Sequence, residues 1–351
     1  MSYLILQDAL ARHTAPPPRP AAAVPAAPPL TLTHVLCGVL LALLAVQIPW
    51  ADLRGYEFVD RVNYLHYFKY EENLLEYSRF SHWYDYLTNE ILWHSAIPYL
   101  HKTWDISLPT LFDAIAFFCV FTFVVFLARY QSLLALPLLL NPLLMTFAFD
   151  QMRNSLAFSL LLWAFMLPRK LLPAAVLLVL IAPFLHTSSV LFVLLWLCLT
   201  LAIRWQQKGW LPYWFYLGGL VFAGAVLSFA SGELLHQILS VLGDRRAERV
   251  LGNASSGLLY TLFWIALLGV ALTQGRRYGT QIICAYAIVI LSFVSFNLVF
   301  GGYSLRFLAA SLPMLIITML RTDSRIKPFV VGAFGLYACL QWYYWLKVDG
   351  L

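Results

Sequence analysis

Apolar residues along the chain fall into eleven long runs separated by more polar segments, two of which are long. A helix needs about 20 apolar residues to cross roughly 30 Å of hydrocarbon. The run at 171–185 is brief and contains Pro173 and Pro183, so it could be a tilted or re-entrant element, and ten to twelve spans remain open. The pattern predicts an all-α, polytopic membrane bundle of about eleven transmembrane helices at 31–50, 108–128, 131–149, 153–168, 171–185, 187–203, 211–230, 257–274, 279–299, 304–320 and 328–346.

Composition supports the same class. Of the 351 residues, 61% are hydrophobic and 11% are charged, whereas a soluble domain averages about half and about a quarter. A soluble enzyme, a disulfide scaffold and a disordered chain are excluded. The five cysteines lie in apolar runs without paired spacing, so they indicate core positions rather than disulfides or a metal site.

The basic residues predict which way the bundle faces. Lys and Arg gather on the cytoplasmic side of membrane proteins, so the net charge of +6 does not indicate a nucleic-acid partner. With the N-terminus inside, only Asp8 and Asp323 are acidic on the inner side, and the opposite orientation would break the rule at every short inner loop. The inner cations are then Arg12, Arg19, Arg129, Arg169, Lys170, Arg204, Lys208, Arg276, Arg277, Arg321, Arg325 and Lys327.

Two regions are predicted from these runs. Residues 1–30 form a cytoplasmic Pro/Ala-rich arm, because the seven prolines of 15–29 favour extended polyproline geometry. No cleavable signal peptide is evident, since the first apolar run follows this arm. Residues 31–348 form a single transmembrane domain with large periplasmic loops at 51–107 and 231–256.

The first loop, 51–107, carries fourteen aromatic residues. Apolar positions near Phe58, Leu65 and Phe68 recur at helical spacing, which predicts short amphipathic helices at the membrane surface. The aromatic residues fit an interfacial belt and also a platform on which sugar rings stack. Both interpretations can hold together.

The second loop, 231–256, places Arg245, Arg246 and Arg249 within one helical turn. Arginines on the outer side run against the usual charge distribution. They either pair with Asp244 and Glu248 on a solvated helix or form an anion clamp, because guanidinium groups match phosphate oxygens bidentately.

Four ionisable residues stand at the mouths of predicted spans, all at the outer level: Asp150, Arg153, His186 and Arg306. Such groups are costly near hydrocarbon and usually mark a site or a pair. A structural explanation is an Asp150–Arg153 salt bridge, an N-cap role for Asp150 and an interfacial His186. The convergence of four residues from three spans favours a functional site.

Several familiar chemistries have no motif in the chain. We find no phosphate-binding loop, dinucleotide fingerprint, zinc-protease helix, nucleophile elbow or Cys/His metal spacing. An Asp-x-Asp pair that could hold a metal–nucleotide sugar is also missing. We therefore expect no cofactor, no metal and no ATP, and an anionic substrate delivered by the membrane.

Five stretches resemble the EpsG/Wzy-type bacterial polysaccharide polymerases. RGYEFVDRVNYLHYF at 54–68 and NEILWHSAIPYL at 89–100 are similar to the first outer loop of that family. The arginine-containing run at 141–165, the His-plus-Ser segment FLHTSSVLFVLL at 184–195 and the late-arginine segment GGYSLRFLAASLPML at 301–315 are similar to its later motifs.

The resemblance implies a glycosyltransferase of the bacterial inner membrane that polymerises oligosaccharide units carried on undecaprenyl pyrophosphate at the periplasmic face. Its implied partners are those lipid-linked glycans, membrane lipids and a chain-length-regulating co-polymerase.

The resemblance also implies roles for individual residues. Arg153 and Arg306 would hold the pyrophosphate, with Arg245, Arg246 and Arg249 as further candidates. His186 is the first candidate for the general base, with Asp60 and Asp150 behind it. The remaining substrate-binding candidates are Arg54, Arg61, Glu90 and Tyr303.

Other functions remain open at this point. A flippase or transporter of lipid-linked sugars would need charged residues along a path through the membrane, but mid-span charges are scarce apart from Asp113. A ligase that passes polymer to another lipid is chemically close to a polymerase. A membrane O-acyltransferase would also use a histidine, but no second signature of one is present.

Overall fold

The computed structural model describes residues 28–70, 83–234, 237, 258–301 and 304–347, and within these ranges the chain is helical without a strand. The α-helices are α1 (Leu32–Gln47), α2 (Trp50–Arg54), α3 (Val59–Lys69), α4 (Trp83–Thr88), α5 (Ile91–Trp104), α6 (Leu108–Tyr130), α7 (Pro142–Phe149), α8 (Met152–Met166), α9 (Leu172–Leu185), α10 (Ser189–Gln207), α11 (Tyr213–Phe229), α12 (Leu258–Thr273), α13 (Arg276–Gly279), α14 (Ile282–Phe300), α15 (Ser304–Leu320) and α16 (Lys327–Lys347).

Ten of the eleven apolar runs each coincide with one long helix, with ends a few residues from those expected. The prediction of one continuous span over 131–149 is wrong. This stretch forms a 3₁₀ helix, Leu133–Leu139, followed by the short α7. Pro137 and Pro142 lack the backbone N–H that a continuous helix needs, and the Asn141 side chain caps α7 by accepting from Leu143 N at 2.9 Å.

Four helical segments are long and apolar enough to cross a bilayer alone: Leu108–Tyr130, Ser189–Gln207, Tyr213–Gly232 and Ile282–Phe300. Shorter apolar helices occur at Leu32–Gln47, Tyr260–Thr273 and Ser304–Leu320. The protein is therefore a helical membrane protein. The number of about eleven spans and the cytoplasmic N-terminus stay predictions.

Helix α14 lies at the centre of the bundle, packed against α10, α11, α12 and α15. All of its residues from Ile283 to Val294 are buried, which is the pattern of a helix covered on every side. Helix α11 crosses it closely at Gly224, where a β-carbon would stand 2.5 Å from Ser292 Cβ. Glycine is required there because the two backbones approach so closely.

One end of the bundle gathers the basic residues of the predicted inner loops. Arg129 donates to Met166 O at 2.6 Å, Arg276 to Gln206 O at 3.0 Å, and Arg321 to Gln281 Oε1 at 2.8 Å. These bonds link the corresponding ends of α6, α8, α10, α14 and α15. The loops predicted to share one side of the membrane thus meet at one end of the molecule.

The segment 51–107 folds at the opposite end, where its described part forms α2, α3, α4 and α5. A small apolar cluster fixes it to the bundle: Phe68 of α3 and Trp93 of α5 pack with Phe112 of α6 and Met152 of α8. The predicted short helices in this loop are present. Most of the loop 231–256 and nearly all of the arm 1–30 lie outside the described residues.

Candidate functional site

Glu90 lies at the centre of a polar cluster formed where the first outer loop meets α8 and α9. It precedes α5 and has φ 50° and ψ 49°, a left-handed conformation that non-glycine residues seldom adopt. Its side chain is only 8% exposed. Such backbone outliers concentrate at functional sites.

Both carboxylate oxygens of Glu90 accept hydrogen bonds from distant parts of the chain. Oε1 lies 2.5 Å from His186 Nδ1 and accepts from the Thr187 backbone N–H at 3.1 Å. Oε2 forms a close ion pair with the Arg153 guanidinium. Glu90 therefore joins the two residues that the sequence singled out at separate span mouths.

Local structure holds these partners in position. Arg153 is the second residue of α8, and His186 is the C-cap of α9, where its backbone N–H donates to Ala182 O at 3.0 Å. Thr187 Oγ1 donates to Leu87 O at 3.0 Å, which ties this turn to the outer loop. The loop, α8 and α9 are thus fastened together around one carboxylate.

The charge on Glu90 determines which ring nitrogen of His186 carries a hydrogen when the ring is neutral. Burial raises the pKa of Glu90, but the hydrogen bond and charge of His186, the charge of Arg153 and the Thr187 N–H together lower it to about 2. An ionised carboxylate can only accept, so Nδ1 carries a hydrogen. In neutral His186, Nε2 then keeps its lone pair, and within the described residues it has no hydrogen-bond partner.

Tyr64 also contacts Arg153, whose guanidinium carbon lies 5.1 Å from the centre of the Tyr64 ring. Burial raises the pKa of Tyr64, Arg153 and Arg306 lower it, and Asp60 and Glu90 raise it. These electrostatic influences place Arg306 and Asp60 in the same neighbourhood as Arg153 and Glu90. Four segments of the chain therefore converge here.

Asp150 belongs to the same neighbourhood but does not have the partner that sequence spacing suggested. It is the C-cap of α7, and its Oδ1 accepts from the Asp60 backbone N–H at 2.8 Å. Arg153 pairs with Glu90 instead, and Gln151 is the N-cap of α8, so the suggested Asp150–Arg153 salt bridge and the N-cap role are wrong. Burial raises the pKa of Asp150.

Arg54 is held by aromatic rings. Its guanidinium carbon lies 3.9 Å from the ring centroid of Tyr56, 4.8 Å from that of Phe58 and 4.6 Å from that of Trp345. No carboxylate of the described residues lies within ion-pair distance, although the charge of Arg54 lowers the pKa of Asp150. The cage fixes a cation at the edge of the cluster.

Arg61 is engaged differently. Its guanidinium forms a 2.8 Å ion pair with Asp113, the charged residue near the outer end of α6. This pair fastens α3 to α6. Four other candidates, Arg245, Arg246, Arg249 and Tyr303, lie outside the described residues.

The sequence interpretation did not single out Tyr64, Thr187 or His94. His94 is buried beside Tyr67 and Phe68, and burial, with Arg153, lowers its pKa to about 4 against the opposing effect of Glu90. Tyr64 could have been found, because it lies four residues after Asp60 on one helical face. Across the described residues, no group of three His, Cys, Asp or Glu side chains is arranged to hold a metal ion.

These features define a helical membrane protein with a largely buried polar site at one end of its bundle. The chain belongs to the EpsG family, whose model matches residues 39–350. This confirms the resemblance seen in the sequence, and it indicates a membrane polysaccharide polymerase. Searches of curated proteins and of solved structures gave no match.

Proposed function

We propose that this protein joins oligosaccharide repeat units carried on undecaprenyl pyrophosphate, at the periplasmic face of the bacterial inner membrane. The observation that carries the proposal is the Glu90 carboxylate, which holds a histidine on one oxygen and an arginine on the other. A proton acceptor and a phosphate-binding cation side by side are what transfer from a pyrophosphate donor to a hydroxyl requires.

In the proposed reaction, Nε2 of His186 takes the proton from a sugar hydroxyl of the acceptor unit. The hydroxyl oxygen forms a bond to the anomeric carbon of the donor saccharide, while the bond from that carbon to the pyrophosphate oxygen breaks. The leaving lipid pyrophosphate carries away the electron pair. The proton on His186 then passes to solvent or to the leaving group.

The arginines would stabilise the charge that develops on the leaving pyrophosphate. Arg153 is oriented by Glu90 and Tyr64, and Arg306 is close enough to influence both Tyr64 and Asp150. Arg54, caged by three rings, would supply a further fixed cation. Guanidinium groups suit this task because they stay charged and donate two parallel hydrogen bonds.

The same geometry supports a changed role for Glu90. Protein donors already occupy both of its oxygens, so we assign it to positioning His186 and Arg153 rather than to contacting sugar. Asp60 and Asp150 remain second candidates for the base. Burial raises the pKa of Asp150, and a raised pKa makes a carboxylate a better proton acceptor. Arg61 is paired with Asp113, so we assign it to holding the outer loop in place.

The proposal is tested with purified protein in detergent and the lipid-linked repeat unit extracted from cells lacking this gene. A ladder of polymer without ATP or any acyl donor supports the polymerase. Transfer to a different acceptor lipid without a ladder would support a ligase instead. Movement of the lipid-linked unit across proteoliposomes without new glycosidic bonds would support a flippase and contradict the proposal.

A further inference from the structure

An apolar groove lies between α8, α9 and α10, and the outer ends of α8 and α9 carry Arg153 and His186. It encloses about 320 Å³, at the lower end of the roughly 300–1,000 Å³ of small-molecule sites. Phe158 and Phe165 of α8, Leu180 of α9, and Phe192 and Trp196 of α10 are among the side chains that line it. The hydroxyl of Thr200 in the lining donates to Trp196 O, so it needs no ligand.

The groove begins within about two turns of the site end of each helix. Phe158 lies five residues beyond Arg153, Phe192 six residues beyond His186 and Leu180 six residues before His186. At a helical rise of 1.5 Å per residue, Phe158 lies about 7.5 Å from Arg153 along α8, and Leu180 lies about 9 Å from His186 along α9. The lining then continues along the helices to Phe165, Thr200 and Leu172.

The groove is also open along its side. Val176 is 48% exposed and Leu180 is 60% exposed, on a face of α9 that the bundle does not cover. A chain could therefore enter it sideways from the bilayer. An anion held at Arg153 with a hydrocarbon tail attached would pass the apolar cluster of Ala157, Ala182 and Leu185 and then reach this groove on the same helices.

We infer that the groove between α8, α9 and α10 holds the polyprenyl chain of the lipid-linked donor, in the isoprene units that follow the pyrophosphate. The inference rests on the proposed function, because it takes the anionic head to be the pyrophosphate at Arg153. The groove positions the donor by its lipid, and the variable sugars need not be recognised for this purpose. Carrier length then contributes to substrate affinity.

Two neighbouring alanines of α9 give a matched test. Ala175 lines the groove, whereas Ala174 is exposed on the same helix and does not. Ala175 is eleven residues from His186, about 16 Å of helix, so a tryptophan there blocks the far part of the groove. Polymerisation is measured for Ala175→Trp and Ala174→Trp with the repeat unit on the native carrier and on a carrier of two isoprene units.

For Ala175→Trp we expect KM for the native carrier to rise by about tenfold or more. Excluding two methylene groups of the carrier from the groove would already have this effect. The short carrier does not reach Ala175, so its KM should not change, and Ala174→Trp should match wild type with both carriers. Equal KM values for the two variants on the native carrier would overturn the groove assignment. A wild-type protein that polymerises neither substrate would instead overturn the proposed function.

A second measurement does not depend on activity or on the variants. Wild-type protein is irradiated with a polyprenyl pyrophosphate that carries a diazirine in an isoprene unit beyond the second, and the labelled peptide is identified. We expect labelling of the α9 segment around Val176 that unlabelled polyprenyl pyrophosphate displaces and excess phosphatidylglycerol does not. Equal displacement by phosphatidylglycerol, or labelling elsewhere, would show a general lipid surface and overturn the inference.

Discussion

His186 Nδ1 and Glu90 Oε1 lie 2.5 Å apart, although 96 positions separate the two residues in the chain. The carboxylate fixes the orientation of the imidazole ring and the position of its hydrogen, which leaves Nε2 to accept a proton. The same carboxylate pairs with Arg153 on its other oxygen. One buried side chain thus sets the geometry of both proposed catalytic groups.

Glu90→Gln tests this positioning role. The glutamine amide has one acceptor oxygen in place of two, so it cannot accept from His186 and Thr187 and also from Arg153. We therefore expect kcat to fall by about 100-fold, which is the lower range of what a positioned general base contributes. KM for the lipid-linked donor should change much less. Glu57→Gln, at an exposed position of the same loop, is the control and should behave as wild type. An unchanged kcat in folded Glu90→Gln protein would contradict the role.

His94 predicts a pH dependence of stability. Its pKa is about 4 in the folded protein, against 6.5 for an unperturbed histidine. Between pH 7 and pH 5 the unfolded chain therefore binds a proton that the folded chain does not, and the free energy of unfolding falls by about 2 kcal/mol. The contribution of Glu90 is constant in this range, because its lowered pKa affects stability only below its ordinary value of 4.5.

In His94→Phe this pH-dependent loss should disappear, while packing against Tyr67 and Phe68 is kept. Thermal unfolding in detergent at pH 7 and pH 5 measures the difference. His66→Phe, at an exposed position of α3, should keep the wild-type dependence. The same fall in unfolding temperature in His94→Phe and wild type would contradict this prediction.

The crossing of α11 and α14 gives a stability prediction. In Gly224→Ala the new methyl would lie 2.5 Å from Ser292 Cβ and 2.6 Å from Val289 O, so we expect a loss of about 1–3 kcal/mol from overpacking. Gly218→Ala on the same helix meets nothing within 4 Å and should not destabilise the protein. Unfolding temperatures of the two variants check this, and equal values would show that the helices do not approach so closely.

Arg54 predicts an effect on donor affinity. Lysine keeps the charge but loses the planar guanidinium that the rings of Tyr56, Phe58 and Trp345 orient. Because it cannot donate two parallel hydrogen bonds to a phosphate, Arg54→Lys should raise KM for the donor by about fivefold, the equivalent of about 1 kcal/mol for one hydrogen bond. Its kcat should be nearly unchanged. Arg325→Lys, at an exposed position of the opposite end, is the control. A wild-type KM in Arg54→Lys would show that the caged cation does not contact the donor.

Much of the fold could be predicted because the length of an apolar run determines a membrane helix directly. The exception at 131–149 came from Pro137 and Pro142, whose effect depends on how the backbone turns between them. Counting the predicted membrane spans along the chain was enough to predict that Asp150, Arg153, His186 and Arg306 lie at the same end of the bundle. That count needs no knowledge of side-chain contacts.

The pairings within the site could not be predicted in this way. Spacing favoured Asp150 as the partner of Arg153, but the outer loop brings in Glu90 from 63 positions away. Where that loop folds depends on Phe68 and Trp93 packing on α6, which is a tertiary contact without a sequence period. The lowered pKa of Glu90 follows from the same fold.

The most direct measurement is the rate at which purified His186→Ala releases polyprenyl pyrophosphate from the lipid-linked repeat unit, compared with His66→Ala and wild type. We expect a fall of about 100-fold or more for His186→Ala, since a general base contributes about 10²–10⁴-fold, and an unchanged rate for His66→Ala. A wild-type rate in folded His186→Ala protein would contradict the account.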